Sequence, residues 1–453
     1  MHSFAKRLKT FIIMILIAAL CIGAVTFFAS IHTEPKPDTN QAVPVSSEQS
    51  EKSTSVLPSD SSRSEKNNHI IINDEIRGIW IPYMTLDMSG TDRSEKTFRA
   101  KIDSIISDCI HYHLNTIIVQ VRPFCDAIYP SEIFPFSHII SGEQGKAVDY
   151  DPLSYIVKAA HSQNIAVHAW VNPFRICTAD TPNKLSDSNP YQIWSSDDNK
   201  DNDMFTMEYQ GGKYLNPAYP EVRKLITDGI VEIIQNYEVD GIQLDDYFYP
   251  DEDTSLDSIS YRLYADAVPE GNICLSQSEW REANINSLIS GIYTAVHSTD
   301  NDVLFGISPQ CNFDNNQKIS ADIRSWCSVK GYIDYICPQI YVSDNHPVFP
   351  FEDLAKKWKD TVKEKDIRLY FGLALYKAGT NADEGTWLDS DDNLKTQIEL
   401  SRKLKTDGFM LYSYDFLNSE NTEKELNNLF PIMQSTLFIA SAPLPKPFGV
   451  FVF

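Results

Sequence analysis

The sequence predicts an α/β fold, a TIM (β/α)8 barrel preceded by an N-terminal membrane anchor and a disordered linker. Three observations lead there. Short β-rich runs alternate with stretches of helical period, the pattern of parallel strands joined by crossover helices. The runs number eight, more than a doubly wound sheet carries in one domain. The chain has 453 residues, too many for one small domain and enough for one large barrel with additions.

The elements follow in order. Lys6, Arg7 and Lys9 precede an apolar run from Phe11 to Ala29, long enough to span a bilayer. Cations ahead of such a run keep the N-terminus inside and send the rest outward. Residues 1–30 therefore read as a signal anchor, with a cleaved signal peptide as the alternative. Residues 31–72 are rich in Ser, Glu, Pro and Lys. They cannot bury enough surface to fold, which makes them a flexible tether. A coil of about 40 residues reaches roughly 35 Å.

The barrel is expected over residues 73–436. Its strands read as "RGIWIPY" (77–83), "TIIVQVRPF" (116–124), "AVHAWVNPF" (166–174), "GIQLDDYFY" (241–249), "VLFGISPQ" (303–310), "IDYICPQIY" (333–341), "RLYFGLALY" (368–376) and "GFMLYSYDF" (408–416). "YPEVRKLITDGIVEIIQNY" (219–237) is the clearest helix, with Pro220 in its first turn, where a missing N–H costs nothing. Residues 175–215 form the longest insertion, a surface excursion over one mouth. Residues 437–453 are a tail.

Composition excludes some functions. The net charge of −23 comes without a basic block after residue 10, so nucleic acid is not a partner. Of eight cysteines, all but Cys21 lie beyond the apolar run, in neither a disulfide framework nor a zinc pattern. They read mostly as small buried residues, with one disulfide open. No HExxH, phosphate-binding glycine loop or GxSxG elbow is present, so no cofactor or metal is expected. The acidic loops "DEDTSLD" (251–257) and "DSDDN" (389–393) lack a full calcium-ligand pattern and read as solvated.

Active sites of such barrels lie at the C-terminal ends of the strands. Those ends are polar and aromatic here. They offer Arg122 and Asp126 after strand two, and Trp170 and Asn172 on strand three. Strand four offers Gln243 and Asp245. Ser308 and Gln310, Gln339 and Tyr341, Tyr376, then Tyr412 and Asp415 complete the set. Side chains of a strand alternate between faces, so Ile242 and Leu244 should face the helices. Gln243 and Asp245 then face the axis, and Asp246 starts the loop. A carboxylate ringed by Tyr and Trp suits a sugar, which presents apolar ring faces and hydroxyls. Plainer roles compete. Asp246 could cap a turn, Arg122 could pair with a buried Asp, Trp170 could be core, and His168 could be a satisfied interior histidine.

"RGIWIPY", "NTIIVQVRP", "DAIYPSEIFP", "HAWVNPFR", "YLNPAYPEVR", "DGIQLDDYFYP" and "EWREANIN" occur in this order. Together they resemble the glycosyl-hydrolase-like family 10 proteins over about residues 75–430. The resemblance implies a TIM barrel, glycoside hydrolysis and a bacterial envelope location. One relative acts on peptidoglycan strands that have lost their stem peptides. It places family motif positions on Arg122, Asp126, Asn172, Asp245, Asp246, Tyr247, Trp280, Arg281 and Asn284. Gln243 and Cys125 depart from the family pattern, which has histidine and glycine there.

Glycoside hydrolysis needs an acid and a base or nucleophile. Asp245 is expected as nucleophile or base, with Asp246 beside it. Glu279, Asp126 and Asp415 are the candidates for the acid. Trp170, Asn172, Gln243, Tyr247, Trp280, Gln310, Gln339, Tyr341, Tyr376, Asp415 and Arg122 are expected to bind substrate. The expected partners are a polysaccharide and, through the anchor, the membrane at the bacterial cell surface. A glycan-binding adaptor and a hydrolase of another extracellular polysaccharide are the alternatives.

Overall fold

A computed structural model describes residues 69–72 and 75–434. The anchor, the linker up to residue 68 and the tail lie outside the described residues. No helix among those described is long and apolar enough to cross a membrane.

Eight parallel strands close into a barrel in sequential order. They are β1 (Ile76–Ile81), β2 (Thr116–Arg122), β3 (Ala166–Val171), β4 (Gly241–Leu244), β5 (Leu304–Ile307), β6 (Tyr335–Ile336), β7 (Arg368–Leu373) and β8 (Gly408–Leu411). Closure pairs Ile76 with Gly408. Every expected strand is present, and each stops earlier than expected. Pro82, Pro123 and Pro173 stand at or just past the ends of β1, β2 and β3, where a residue without an N–H cannot extend the ladder. Pro338 shortens β6 in the same way, and pairing resumes only as single bridges at Gln339.

The outer helices include α1 (Glu95–His111), α2 (Pro152–His161), α3 (Pro220–Asn236), α4 (Gln277–Thr299), α5 (Phe351–Thr361), α6 (Asn393–Lys403) and α7 (Glu423–Gln434). In α3, Pro220 sits in the first turn, and Val222, Ile226, Ile230 and Ile233 form the buried stripe that the 3.6-residue period requires. The excursion between β3 and β4 carries structure of its own. It holds the helix Pro190–Ser196 and a three-stranded sheet of Arg175–Cys177, Gly212–Leu215 and Thr206–Tyr209.

The core has two shells. Ile79, Val119, Ile242, Leu244, Phe305 and Phe409 pack outward against the helices. Trp80, Ile118, Trp170, Tyr335, Tyr370 and Met410 fill the barrel axis. Large rings fit there because glycines face them. A Cβ on Gly306 would lie 2.2 Å from the Tyr335 ring, and one on Gly241 would lie 2.8 Å from His168. His168 is buried, its Nδ1 is 2.9 Å from the Tyr335 hydroxyl, and burial lowers its pKa to about 4. It is a neutral interior histidine. The seven cysteines of the described residues are all free.

Residues 69–72, read from sequence as the end of the linker, are pinned to the N-terminal end of the barrel. Asp240, just before β4, accepts from Ile70 N at 2.6 Å, Val167 N at 2.7 Å and His161 Nε2 at 2.8 Å. His69 lies 3.7 Å from Asp240 and 3.1 Å from Asp300. Asp240 and, against burial, Asp300 raise His69 to about 9. Burial alone would raise Asp240, yet its hydrogen bonds from His161, His69 and Val167 hold it down to about 2.

The His69 contribution to stability is therefore full below its ordinary 6.5 and lost as pH rises through about 9. That of Asp240 is present above 3.8 and lost as pH falls through about 2. His69→Ala should cost roughly 1.5–3 kcal/mol at pH 6 and clearly less at pH 9.5, read from urea midpoints. An equal cost at both pH values would show that the imidazolium charge contributes nothing.

Candidate active site

A cavity of about 270 Å³ opens at the C-terminal end of the barrel. Strand alternation builds it. Trp80 of β1, Trp170 of β3 and Gln243 of β4 point to the axis, and Asp245 follows Gln243 one period later. Tyr341, Tyr376 and Tyr412 come from the ends of β6, β7 and β8 and form an aromatic wall. Tyr412 packs 5.6 Å from Tyr341 and 6.0 Å from Trp80, centroid to centroid.

Asp245 is 3% exposed and held by three donors. Trp170 Nε1 at 2.9 Å and Asn172 Nδ2 at 3.0 Å both reach Oδ2. Only the longer bond from Tyr247 N, 3.2 Å, reaches Oδ1. Burial, reinforced by the neighbouring Asp246 charge, raises Asp245 to about 7, against the pull of Arg175 and the Trp170 bond. Asp246 accepts from Gln339 Nε2 at 2.9 Å. Burial raises it too, and bonds from Gln339 and Gln310 oppose the rise. Two adjacent carboxylates in a dry site cannot both ionise freely, so the pair keeps a proton well above the usual carboxylate range.

Arg175 stands beside the pair. Its Nε donates to Pro123 O at 3.1 Å, and its guanidinium lies 4.7 Å from the Phe124 ring centroid and 5.2 Å from that of Tyr247. Tyr247 is half exposed at the rim. Among the described residues, no cluster of three or more His, Cys, Asp or Glu is arranged to hold a metal ion.

The structure brings Trp170, Gln243, Asp245, Asp246, Tyr247, Gln339, Tyr341 and Tyr376 to the cavity lining. Asn172 lies behind Asp245, and Gln310 supports Asp246. It does not bring the others there. A register shift between Gln120 and Arg122 turns Arg122 to the outer face of the barrel. It lies buried over the Phe134 ring at 4.5 Å, against Gly229 of α3. Asp126 is buried in the following loop, with Gln144 Nε2 at 3.2 Å and His138 Nδ1 at 3.4 Å.

Glu279 caps α4: its Oε2 accepts from Ser276 N at 2.9 Å and Oγ at 2.8 Å, while Ser276 Oγ takes the Glu279 N–H. Trp280 stacks on Tyr264 at 5.8 Å. Asn284 accepts from Arg223 of α3 at 3.2 Å. Asp415 is held by Thr85 Oγ1 at 2.8 Å. Two residues with a place at the site, Trp80 and Arg175, were not selected from sequence, and two more, Tyr412 and Ser308, were named at strand ends but not among the expected binding residues. Trp80 was detectable, since Gly78 and Trp80 alternate with Ile79 and Ile81. Tyr412 and Ser308 stand at strand ends among several equivalent candidates. Arg175 had no local signal, because its position depends on how the excursion folds back.

The family model for glycosyl hydrolase-like 10 matches residues 75–389. The chain is 33% identical over 368 residues to "Glycosyl hydrolase YngK" of Bacillus subtilis, covering 76% of this chain and 69% of that protein. It is 31% identical over 391 residues to "Glycosyl hydrolase DigH" of Escherichia coli K12, covering 78% and 86%. The glycoside hydrolase domain of PgaB (BpsB) from Bordetella bronchiseptica shares the fold, with a TM-score of 0.53 at 13% identity over 78% of this chain and 99% of that one. A closed parallel barrel with a carboxylate pair at its mouth, matched over most of its length, makes this chain a member of the glycosyl hydrolase-like 10 family.

Proposed function

We propose that the protein is a glycosidase of the cell surface that cleaves peptidoglycan glycan strands lacking stem peptides. The observation that carries the reading is the Asp245–Asp246 pair within an aromatic-walled cavity of about 270 Å³. Aromatic faces receive sugar rings, and the pair supplies one acid and one base. The wall as substrate rests on the apolar N-terminal run and tether read from the sequence, which would hold the barrel near the membrane, and the glycosidase chemistry on the likeness to other glycosyl hydrolases.

The geometry favours Asp245 as the acid, where the sequence suggested nucleophile or base. Two donors occupy Oδ2, while Oδ1, with only the 3.2 Å bond from Tyr247 N, carries the proton, and a value of about 7 suits a proton donor near neutrality. Asp246, with side-chain donors from Gln339 at 2.9 Å and Gln310 and a partly open position, attacks the sugar carbon or activates water. Asp245 protonates the leaving oxygen. Glu279, Asp126 and Asp415, the acids expected from sequence, have structural partners elsewhere.

Trp170→Phe removes a donor that favours ionised Asp245. The alkaline limb of the kcat/KM profile should then move up by about one pH unit. An unmoved limb would detach Trp170 from this titration. The reading itself is tested by incubating the protein with peptide-free and peptide-bearing glycan strands and analysing products by mass spectrometry. Release from peptide-free strands in preference is the expected result. Binding without release from any strand would make the protein a glycan-binding adaptor.

A further inference from the structure

Arg175 opens the excursion after β3 and takes no part in the two steps assigned to Asp245 and Asp246. Two chains of contact nevertheless run from it to the acid. Through the main chain, Arg175 N donates to Asn172 Oδ1 at 2.9 Å, and Asn172 Nδ2 donates to Asp245 Oδ2 at 3.0 Å. Through the side chain, the guanidinium lies 5.2 Å from the Tyr247 ring centroid, and Tyr247 N donates to Asp245 Oδ1 at 3.2 Å. Both oxygens of Asp245 are thus held by residues that Arg175 itself touches.

The guanidinium is fixed in place. Nε donates to Pro123 O at 3.1 Å, and the Phe124 ring centroid lies 4.7 Å away. The main chain pairs with Tyr214 of the excursion hairpin, and Leu215 N closes that hairpin on Phe174 O at 2.7 Å.

The groups that face Arg175 are Asp245, Asp246 and Tyr247 from the end of β4 and Tyr214 from the hairpin. Tyr341 faces Asp246 from the end of β6. Burial raises all three tyrosines, so they stay neutral near neutrality. Arg175 acts on both acids through space, as charge, with no hydrogen bond to either carboxylate among the described residues. A cation beside a dry carboxylate pair lowers the cost of its charge. Direct pairing would occupy the oxygens that the reaction uses, and a cation that stands off leaves them open.

We propose that Arg175 is a positioning residue for the glycosidase reaction: the fixed counter-charge of the Asp245–Asp246 pair and the support of Tyr247, the ring at the rim. The inference rests on the glycosidase reading and adds that the excursion after β3 governs the site, since its first strand carries the cation. Arginine suits this place. Its planar guanidinium faces two rings while Nε keeps its bond, which a lysine ammonium cannot reproduce.

The test follows the full chain by two readouts. Trp170 Nε1 donates to Asp245 Oδ2 at 2.9 Å. The part of the fluorescence lost in Trp170→Phe therefore reports the ionisation of Asp245 against pH, whether or not the protein cleaves anything. Removing a cation disfavours the carboxylate anion, so in Arg175→Gln that midpoint should rise from about 7 by about one pH unit. Arg175→Met, which keeps the apolar stem between the rings, should give the same rise and decides the matter where the glutamine variant does not fold. Arg175→Lys keeps the charge, so its midpoint should stay within about 0.3 unit of the parent.

The second readout is kcat/KM on peptide-free glycan strands. Both limbs should move to higher pH in Arg175→Gln, whereas Trp170→Phe moves the alkaline limb alone. Arg175→Lys should leave the limbs in place and raise KM roughly two- to fivefold, because Tyr247 loses the guanidinium face.

A fluorescence midpoint unmoved in Arg175→Gln and Arg175→Met would overturn the proposal and leave Arg175 as a fastener of the excursion. So would an equal rise in Arg175→Lys, which would trace the effect to lost shape instead of lost charge. The glycosidase reading fails separately, if the midpoint moves as expected while the unmodified protein cleaves no glycan.

Discussion

Asp246→Asn and Asp245→Asn should each lower kcat/KM on glycan strands by about 10²- to 10⁴-fold, the range for loss of a positioned acid or base. The two variants should differ in kind. If Asp245 is the proton donor, Asp245→Asn keeps most of its activity on an aryl glycoside whose leaving group needs no proton, and its profile loses the alkaline limb. Asp246→Asn fails on both substrates. For the unmodified protein, activity requires Asp245 protonated, so kcat/KM falls as pH rises through about 7. It also falls on the acid side as Asp246 gains its proton, above the ordinary 3.8 because burial raises it. A profile that rises through 7 would exchange the two roles.

Arg281→Met should destabilise the protein by about 3–5 kcal/mol, because it leaves a buried carboxylate without its cation. The Arg281 and Asp257 side chains are 3% and 0% exposed. Arg281 Nε donates to both Asp257 oxygens, at 3.1 and 3.0 Å, and its other nitrogens reach the carbonyls of Asp251, Glu252 and Asp253 at 3.4, 3.3 and 2.8 Å. The guanidinium also covers the Tyr249 ring at 4.7 Å. It thereby pins the loop that leaves Asp245 and Asp246, so the loss should include weaker substrate binding.

Asp257→Asn should cost a similar amount. Arg281→Lys should not restore stability, since one ammonium cannot span the same fork of acceptors. Urea unfolding checks all three. A loss under 1 kcal/mol for Arg281→Met would mean that water replaces the pair. This contact also explains "DEDTSLD" and "WREAN" together, as two halves of one clamp.

The barrel was legible because its signals are local. Eight apolar runs alternating with helical stretches require parallel strands with outer helices, and the period of two placed Gln243 and Asp245 on the axis with Ile242 and Leu244 outside. The capping box of α4 went unread, although Ser276 and Glu279 have its Ser-x-x-Glu spacing, and it accounts for Glu279, expected as an acid, more simply than catalysis does.

What only the tertiary structure decided is convergence. Arg122 belongs to an axis-facing period by count, yet one register shift beside Val121 sends it to the outer face, because each strand residue added or skipped exchanges the two sides. Arg175 reaches the acid pair only because the excursion after β3 folds back over Phe124 and Tyr247. The sequence by itself determined the strands, the inward faces of β3 and β4 and the carboxylates at the end of β4. Closure of the barrel determined which strand ends meet, since contacts between residues far apart in the chain follow from how every intervening element packs.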